Sequence, residues 1–414
     1  MNPLATTQQL DTERLALRLS EHPAVRSARE QARCRLLADD PAIATGEGRL
    51  GLERALDQWT LALAMREANG NPGAPQITWN VDNTPRPWHG HFYPGAALAV
   101  DNPDNVNREM PIDGASRYLL RGHFAANRTA NFSLKLEVEP QDHAGIGEHL
   151  WMLTSQEIEC DEQGRFSVGI GPQPIEGVAN HIQTRPGRLT LYARDSFSDW
   201  RQQATMLSIE RLDGPAFPVG LDEGQLVRRV ADFLPAFVSF WSGFKNGFLD
   251  QPRPNTLVGP IGRQANWGYL AGGRFELADD QALLITIEHA GARYSGFQVA
   301  DPWTVAPDPL YRQSSLNSSQ QATNPDGSVT FVVSVSDPGV HNWIDTCGLH
   351  HGWLLLRWQG FAAEIDASSL IRGCQLVDLA ALAAHLPPGC PTVTLEQRRA
   401  QIEPRALQYR LRFR

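Results

Sequence analysis

The chain has no uninterrupted apolar run approaching the ~18–20 residues of a bilayer-spanning helix, so no transmembrane helix and no membrane partner are expected. Its start, MNPLATTQQLDTERL, lacks a cationic head followed by an apolar stretch. No signal peptide is expected, and the expected location is cytoplasmic. Cysteine is sparse and scattered: Cys34, Cys160, Cys347, Cys374 and Cys390 include no close pair. That pattern excludes a disulfide framework or a zinc knuckle and reads as reduced thiols. Positive charge is not in excess, and the formal net charge of −9 argues against nucleic acid as the main partner. Neither a Gly-Xaa-Gly-Xaa-Xaa-Gly fingerprint nor a phosphate loop occurs, and Gly-Xaa-Ser-Xaa-Gly is missing. These absences argue against dinucleotide enzymes, kinases and serine hydrolases of the usual folds, and no cofactor is expected.

What is present is enough chain for two domains: 414 residues, 42% hydrophobic and 20% charged, an ordinary globular balance. Eleven tryptophans are an enrichment, and large aromatics both fill cores and line pockets for apolar or sugar-like ligands.

The patterning changes along the chain. Over residues 1–70, apolar residues recur at helix spacing (Leu10, Leu15, Leu17, Leu19, then Val25, Ala28, Ala32, Leu36). A further helix is predicted at about Leu50–Ala68. From Ile77 to Leu212 the period is two, with strand-length runs at Arg117–Phe124, Asn131–Glu139, Arg165–Ile170, Arg188–Arg194 and Ala204–Arg211. Residues 222–248 return to a helical stripe (Leu226, Val230, Leu234, Phe237, Trp241) that ends at Gln251-Pro252-Arg253-Pro254. A second β run follows: Tyr269–Leu277, Ala282–His289, Tyr294–Asp301, Val329–Asp337, Trp353–Gln359 and Phe361–Ile365. Two closing helices are predicted at about Leu376–Leu386 and Leu395–Arg410, the latter with a Thr394…Gln397 capping pattern. The segments RYLLRGHF and RYSGFQVAD resemble each other weakly, as two related sandwiches would require.

The densest polar stretch is Asp337 to Gln359, DPGVHNWIDTCGLHHGWLLLRWQ. On its turn, His341 is a candidate acid–base group with Asp345 orienting it. Tyr269 adds a hydroxyl, and these three are the candidate catalytic residues. Trp267, Asn317, Asn342, Trp343 and Arg357 are the candidate substrate-binding residues, expected to converge on a concave pocket of the second lobe. The competing reading makes Asp337 and Asn342 ties of their own turn and Trp343 a plug of the sandwich end. Arg121, Arg263, Arg274 and Arg357 lie in or beside strands, where an arginine serves as an anion clamp or pairs with a carboxylate. His89 and His91, with His123 or His350-His351, are the nearest approach to a metal set; no carboxylate or cysteine stands at ligand spacing, so no metal is expected. His89, His91, Arg121 and His123 form the fallback site, with a ligand between the lobes.

The run Asn266–Trp303, then SSLNSSQ (Ser314–Gln320), DGSVTFVVSVSDPGVHNWIDTCG and LLLRWQG, resembles the bacterial family catalogued as domain of unknown function 1214 over roughly residues 262–362. DNPDNVNREMPIDGASRYLLRG resembles the upstream part of longer members. The resemblance implies a jelly-roll-like β-sandwich and names no reaction.

The expected architecture is mainly β with flanking helices: two β-sandwich (jelly-roll-like) lobes joined by a helix. Its segments are 1–75 helical, 76–215 first lobe, 216–255 connecting helix, 256–366 second lobe and 367–414 C-terminal helices. The expected function is a cofactor-independent enzyme acting on an apolar oxygenated small molecule of terpenoid, steroid or aromatic type, by acid–base lyase, isomerase or hydrolase chemistry. The alternative is a non-catalytic carbohydrate or small-molecule binding protein. Homo-oligomerisation is left open.

Overall fold

A computed structural model describes residues 2–414 except 42, 44, 45, 217–219, 251–252 and 264–266. Gln251, Pro252 and Asn266, used above as a helix stop and as part of a motif, lie outside the described residues. Three helices open the chain: α1 (Thr7–Glu21), α2 (Pro23–Asp39) and α3 (Gly46–Ala68). Thr6 caps α1 by accepting from the Gln9 amide, and Pro23 sits in the first turn of α2, where its missing N–H costs nothing. α4 (Glu223–Gly243) starts with a reciprocal Asp222–Gln225 capping box. Its stripe of Leu226, Val230, Leu234, Phe237 and Trp241 joins the apolar faces of α1, α2 and α3 in one core. The helix between the lobes in sequence is therefore the fourth member of a bundle. No helix among the described residues is long and apolar enough to cross a membrane.

The first lobe comprises β1 (Thr78–Val81), a hairpin of β2 (Arg86–Trp88) and β3 (His91–Tyr93), then β4 (Asn105–Asp113), β5 (Arg117–His123), β6 (Asn131–Val138), β7 (His149–Thr154), β8 (Arg165–Gly171), β9 (Asn180–Gln183), β10 (Arg188–Ser196) and β11 (Met206–Asp213). Two sheets, β1-β4-β10-β6-β7 and β11-β5-β8-β9, enclose a core of Met110, Ile112, Leu120, Leu134, Leu136, Val168, Leu189 and Leu191. The alternation of β5, β6 and β10 places one face of each strand in that core, and each fully buried Leu or Val contributes roughly 1.5–3 kcal/mol.

The second lobe comprises β12 (Val258–Gly262), β13 (Gly268–Glu276), β14 (Gln281–Ile287), β15 (Tyr294–Ala300), β16 (Ser315–Asn317), β17 (Val329–Ser334), β18 (Trp343–Asp345), β19 (His351–Gln359) and β20 (Ile371–Asp378). Its sheets are β12-β13-β19-β15-β16 and β18-β17-β14-β20. With the β2–β3 hairpin set aside, each lobe places its strands in the order first, second, eighth, fourth, fifth in one sheet and ninth, third, sixth, seventh in the other. In both, the sixth and seventh strands pair in parallel while the other ladders run antiparallel. The lobes are two copies of one topology. The segments that looked alike in sequence are not the equivalent ones: RYLLRGHF is a third strand and RYSGFQVAD a fourth.

Two other expectations fail locally. Phe361–Ile365 is not a strand, because Gly360 turns the chain at φ 73 before it. Leu376 lies in β20, which pairs with β14 and completes the second sandwich; the helix there is confined to α5 (Leu382–His385). The second lobe thus extends to residue 378, past the expected boundary at 366. α6 (Leu395–Arg410) carries the Thr394–Gln397 capping box.

Candidate functional site

Since Leu189, Leu191 and Ala193 of β10 face the first core, Tyr192 and Arg194 stand on the outer face of that five-stranded sheet. By the same alternation Leu354, Leu356 and Trp358 of β19 fill the second core, while Leu355, Arg357 and Gln359 stand on the outer face of its sheet. The helix bundle covers part of the first outer face, where Arg66 of α3 binds Glu109 of β4 at 2.7 Å. The rest faces the second lobe: Asn131 Nδ2 donates to Gln359 Oε1 at 3.3 Å across the gap. Val100, Leu249, Ala300, Trp353 and Leu355 form an apolar seam between the lobes.

Basic side chains gather at this seam. Arg357 donates to Gln298 Oε1 at 2.7 Å and to the Val100 carbonyl at 2.6 Å, Val100 itself being held at φ 50. Arg194 donates through Nε to Asn107 Oδ1 at 2.5 Å. Trp267 lies between two guanidiniums, Arg263 at 4.0 Å and Arg194 at 4.5 Å from its ring centroid. Among the described residues none of Arg194, Arg263 and Arg357 forms an ion pair with a carboxylate, and the Arg263 guanidinium has no hydrogen-bond partner. Burial, compounded by the neighbouring arginines, pulls Arg194 down to about 10 and Arg263 well below the usual arginine range. Both remain cations at neutral pH, at an electrostatic cost that an anion would relieve. Burial pushes the Asp101 carboxyl up to about 6, against the pull of the Leu98 amide, Arg357 and Arg194.

A cavity of about 330 Å³ opens beside this group, lined by Lys135, Ile146, Met152, Phe248, Ile261, Arg263, Trp267 and Leu270. Lys135 lies on the outer face of β6, directly opposite Met152 of β7, and pairs with Glu137 two residues along the same face. Burial lowers the pKa of Lys135, Glu137 raises it, and Arg194 and Arg263 lower it further. The arrangement provides a largely apolar slot with one guanidinium, Arg263, and one amine, Lys135, on its wall, and Arg194 against the Trp267 ring beside it.

Of the residues singled out in sequence, Trp267, Arg263 and Arg357 belong to this seam. Tyr269 points the other way, into the second core, and packs edge-on against Phe361 at 5.6 Å. Asn317 is fully buried and donates to Asp104, which also accepts from Trp200 and Tyr294. The turn of β17–β18 sits apart, beneath α6. His341 is held between the Gln401 amide at 3.0 Å and the Gln320 carbonyl at 3.3 Å, and burial lowers its pKa, so the ring is neutral. Asn342 bonds the backbone of Ala322 and Thr330, Trp343 donates to Ser334, and Asp345 is clasped by Arg312 at 2.5 and 2.8 Å. The structure does not bring these four to a common cavity with Trp267 and Arg357. The fallback set separates too. His89 occupies the β2–β3 turn and His91 binds Glu13 at 2.9 Å, while Arg121 pairs with Glu210 and His123 contacts the Gln163 carbonyl. Among the described residues no three metal-ligating side chains cluster.

Lys135 and Arg194 were not singled out. Each is one outward position in an alternating strand and reads as wet surface unless a second sheet faces it. A compositional signal existed: of 37 lysines and arginines only two, Lys135 and Lys245, are lysine. Neither is on the open surface, their side chains being 24% and 4% exposed.

No protein-family model matches the chain, and no curated protein matches it. Among solved structures, an uncharacterized protein from Burkholderia cenocepacia superposes with a TM-score of 0.69 at 24% identity, over 92% of this chain and 99% of its own. A protein from Vibrio parahaemolyticus superposes over 67% of this chain and 89% of its own with a TM-score of 0.40 at 12% identity. The first likeness extends to nearly the whole molecule and shows its fold.

Proposed function

We propose that the protein binds a small organic anion with an apolar, aromatic or terpenoid-like body in the cavity between its lobes. Arg263 takes the anionic group, with Arg194 adding positive charge from across the Trp267 ring; Met152, Ile261, Leu270 and Trp267 take the body. The observation that carries this reading is the Arg263 guanidinium, without a carboxylate partner among the described residues, on the wall of a largely apolar cavity of about 330 Å³, a volume within the usual range for small-molecule sites; Arg194, on the same Trp267 ring, adds positive charge from outside the wall. Arg263 and Arg194 are half-buried and Arg357 is buried; cations withdrawn from water are normally paired, and an anionic ligand would supply the missing counter-charge. The reading keeps the apolar, oxygenated ligand expected from sequence and moves it from the β17–β18 turn to the seam. A carbohydrate platform has less support, since Trp151 is the one exposed tryptophan among the described residues. A cytoplasmic location is proposed as well, supported by five free cysteines.

Calorimetric titration with 3-phenylpropanoate and with 3-phenylpropan-1-ol tests it. The carboxylate is expected to bind at least tenfold more tightly than the alcohol, with the preference lost in Arg263→Gln. Equal affinity for both compounds, or no binding of either, would sink the proposal.

A further inference from the structure

We propose that Lys135 captures a carbonyl group of the bound anion as a reversible imine, which makes the ligand class an oxo acid with an apolar body. This rests on the reading of the interlobe cavity as an anion site and deepens it. A chain that uses arginine for nearly all its positive charge places one of its two lysines on the wall of this cavity. An amine supplies something a guanidinium cannot: once deprotonated it has a nucleophilic lone pair. The other lysine, Lys245, binds Asp40 at 3.1 Å and lies over Trp353, and it lines no part of this cavity.

The surroundings of Lys135 ease the loss of its proton. Met152, Ile146 and Leu270 share the cavity wall, and Arg263 and Arg194 add like charge, the setting in which lysines become nucleophiles at neutral pH. Of the other titratable groups, Glu137 on β6 favours the ammonium form and is the proton acceptor at hand. Burial lowers the pKa of His149 on β7, the charged form of Lys135 lowers it further, and Glu137 raises it. The step balances without a redox partner. Lys135 gives a proton to Glu137 and its lone pair attacks the carbonyl carbon. The carbonyl oxygen takes up two protons, the one returned by Glu137 and one from the attacking nitrogen, the C–O bond breaks and water leaves as the C=N bond forms. Arg263 holds the carboxylate on the wall that it shares with Lys135, so the carbonyl carbon next to the carboxylate lies on the β6 side of the cavity.

The test is borohydride trapping with phenylpyruvate, followed by intact-mass and peptide analysis. Lys135, Lys245 and the N-terminus are the only amines of the chain, so the controls are internal. One adduct per chain is expected, on the Lys135 peptide, reduced at least tenfold in Arg263→Gln and absent in Lys135→Gln. Arg263→Gln keeps the test meaningful should Lys135→Gln fail to fold. Binding of 3-phenylpropanoate with no adduct from phenylpyruvate would overturn the imine and leave the anion site standing. Failure of both compounds to bind would overturn both readings. Equal labelling of Lys245 and the N-terminus would show ordinary amine reactivity and overturn the imine.

Discussion

Arg194 and Arg357 occupy the same place in the two copies of one sandwich, each the seventh residue of a nine-residue eighth strand, and both project into the seam between the lobes. Each eighth strand is paired with its second strand along its full length, so the equivalence is one of register as well as order. The partners differ: Asn107 lies opposite Arg194, and Leu270 opposite Arg357. Duplicating a lobe and turning the copies face to face doubles any outward charge at the contact. Two like charges brought together this way oppose folding, Asp101 offsets them only in part, and the remaining need for a counter-charge is the physical root of the ligand site proposed above.

Asp101 makes the seam sensitive to pH. With its pKa near 6 in the folded protein against ~3.9 in an unfolded chain, it binds more protons folded than unfolded between those values. Its contribution to stability therefore falls as pH rises from about 4 to about 6, by up to about 3 kcal/mol. Neutralising it also leaves the arginines less compensated, so anion affinity should increase several-fold as pH falls from 7.5 to 5.5. Titrating 3-phenylpropanoate across that range in wild type and Asp101→Asn checks this: the variant should be flat, and a wild-type profile equally flat would remove Asp101 from the seam's electrostatics.

The β17–β18 turn should behave as scaffold. His341→Gln keeps a group able to meet Gln401 and the Gln320 carbonyl, so melting temperature and 3-phenylpropanoate affinity should change little. Asp345→Ala instead leaves Arg312 and the Cys347 amide without their acceptor, a loss of about 2–4 kcal/mol. Chemical denaturation measures the second effect. A tenfold loss of ligand affinity in His341→Gln would return the site to this turn.

How much of this was legible in the sequence depended on whether a residue's role was local. Strands β5, β6 and β10 announce themselves because one face is core and the other is more polar. β4, NVNREMPID, does not: its outer face is covered by Arg66 and the helix bundle, so it carries Glu109 and Pro111 where a plain alternation was sought. β20 reads as helix in sequence because Leu376, Leu379, Leu382 and Leu386 fall near helix spacing, while pairing with β14 fixes the first of them in a strand. Arg263, Trp267 and Arg357 were recognisable as unusual, yet their companions were sought along the chain when they lay on the other copy of the fold. Lys135 and Arg194 could be found only once the two sheets were known to face each other.

The C-terminus should matter for stability out of proportion to its position. Arg86 is enclosed by the rings of Trp79, Trp88, Tyr93 and Phe413 at 4.2–4.7 Å and donates to Asp82. Phe413 closes this cage from the end of the chain and stacks on Trp79 at 5.8 Å. Phe413→Ala should cost about 2–3 kcal/mol, below the range for a fully buried Phe because its ring is only partly enclosed. Urea unfolding with an unchanged m-value would be the signature, and a shift under 0.5 kcal/mol would mean the cage holds without its fourth wall.

Arg263→Met separates what the arginine cluster does for folding from what it does for binding. The guanidinium has no hydrogen-bond partner or ion pair among the described residues, so its removal leaves no acceptor stranded. What is lost is its stacking on Trp267, about 1 kcal/mol or somewhat more in an enclosed site. What is gained is relief of its repulsion with Arg194 and Arg357 and of its own desolvation, terms of similar or larger size. Without ligand the variant should therefore match or exceed wild type in melting temperature. With saturating 3-phenylpropanoate the order should reverse, because wild type gains stability from binding and the variant gains little. A guanidinium retained at a cost to the empty protein and repaid only by an anion is a ligand-binding residue. A variant destabilised by more than about 2 kcal/mol, with ligand affinity unchanged, would instead make Arg263 a structural support for Trp267.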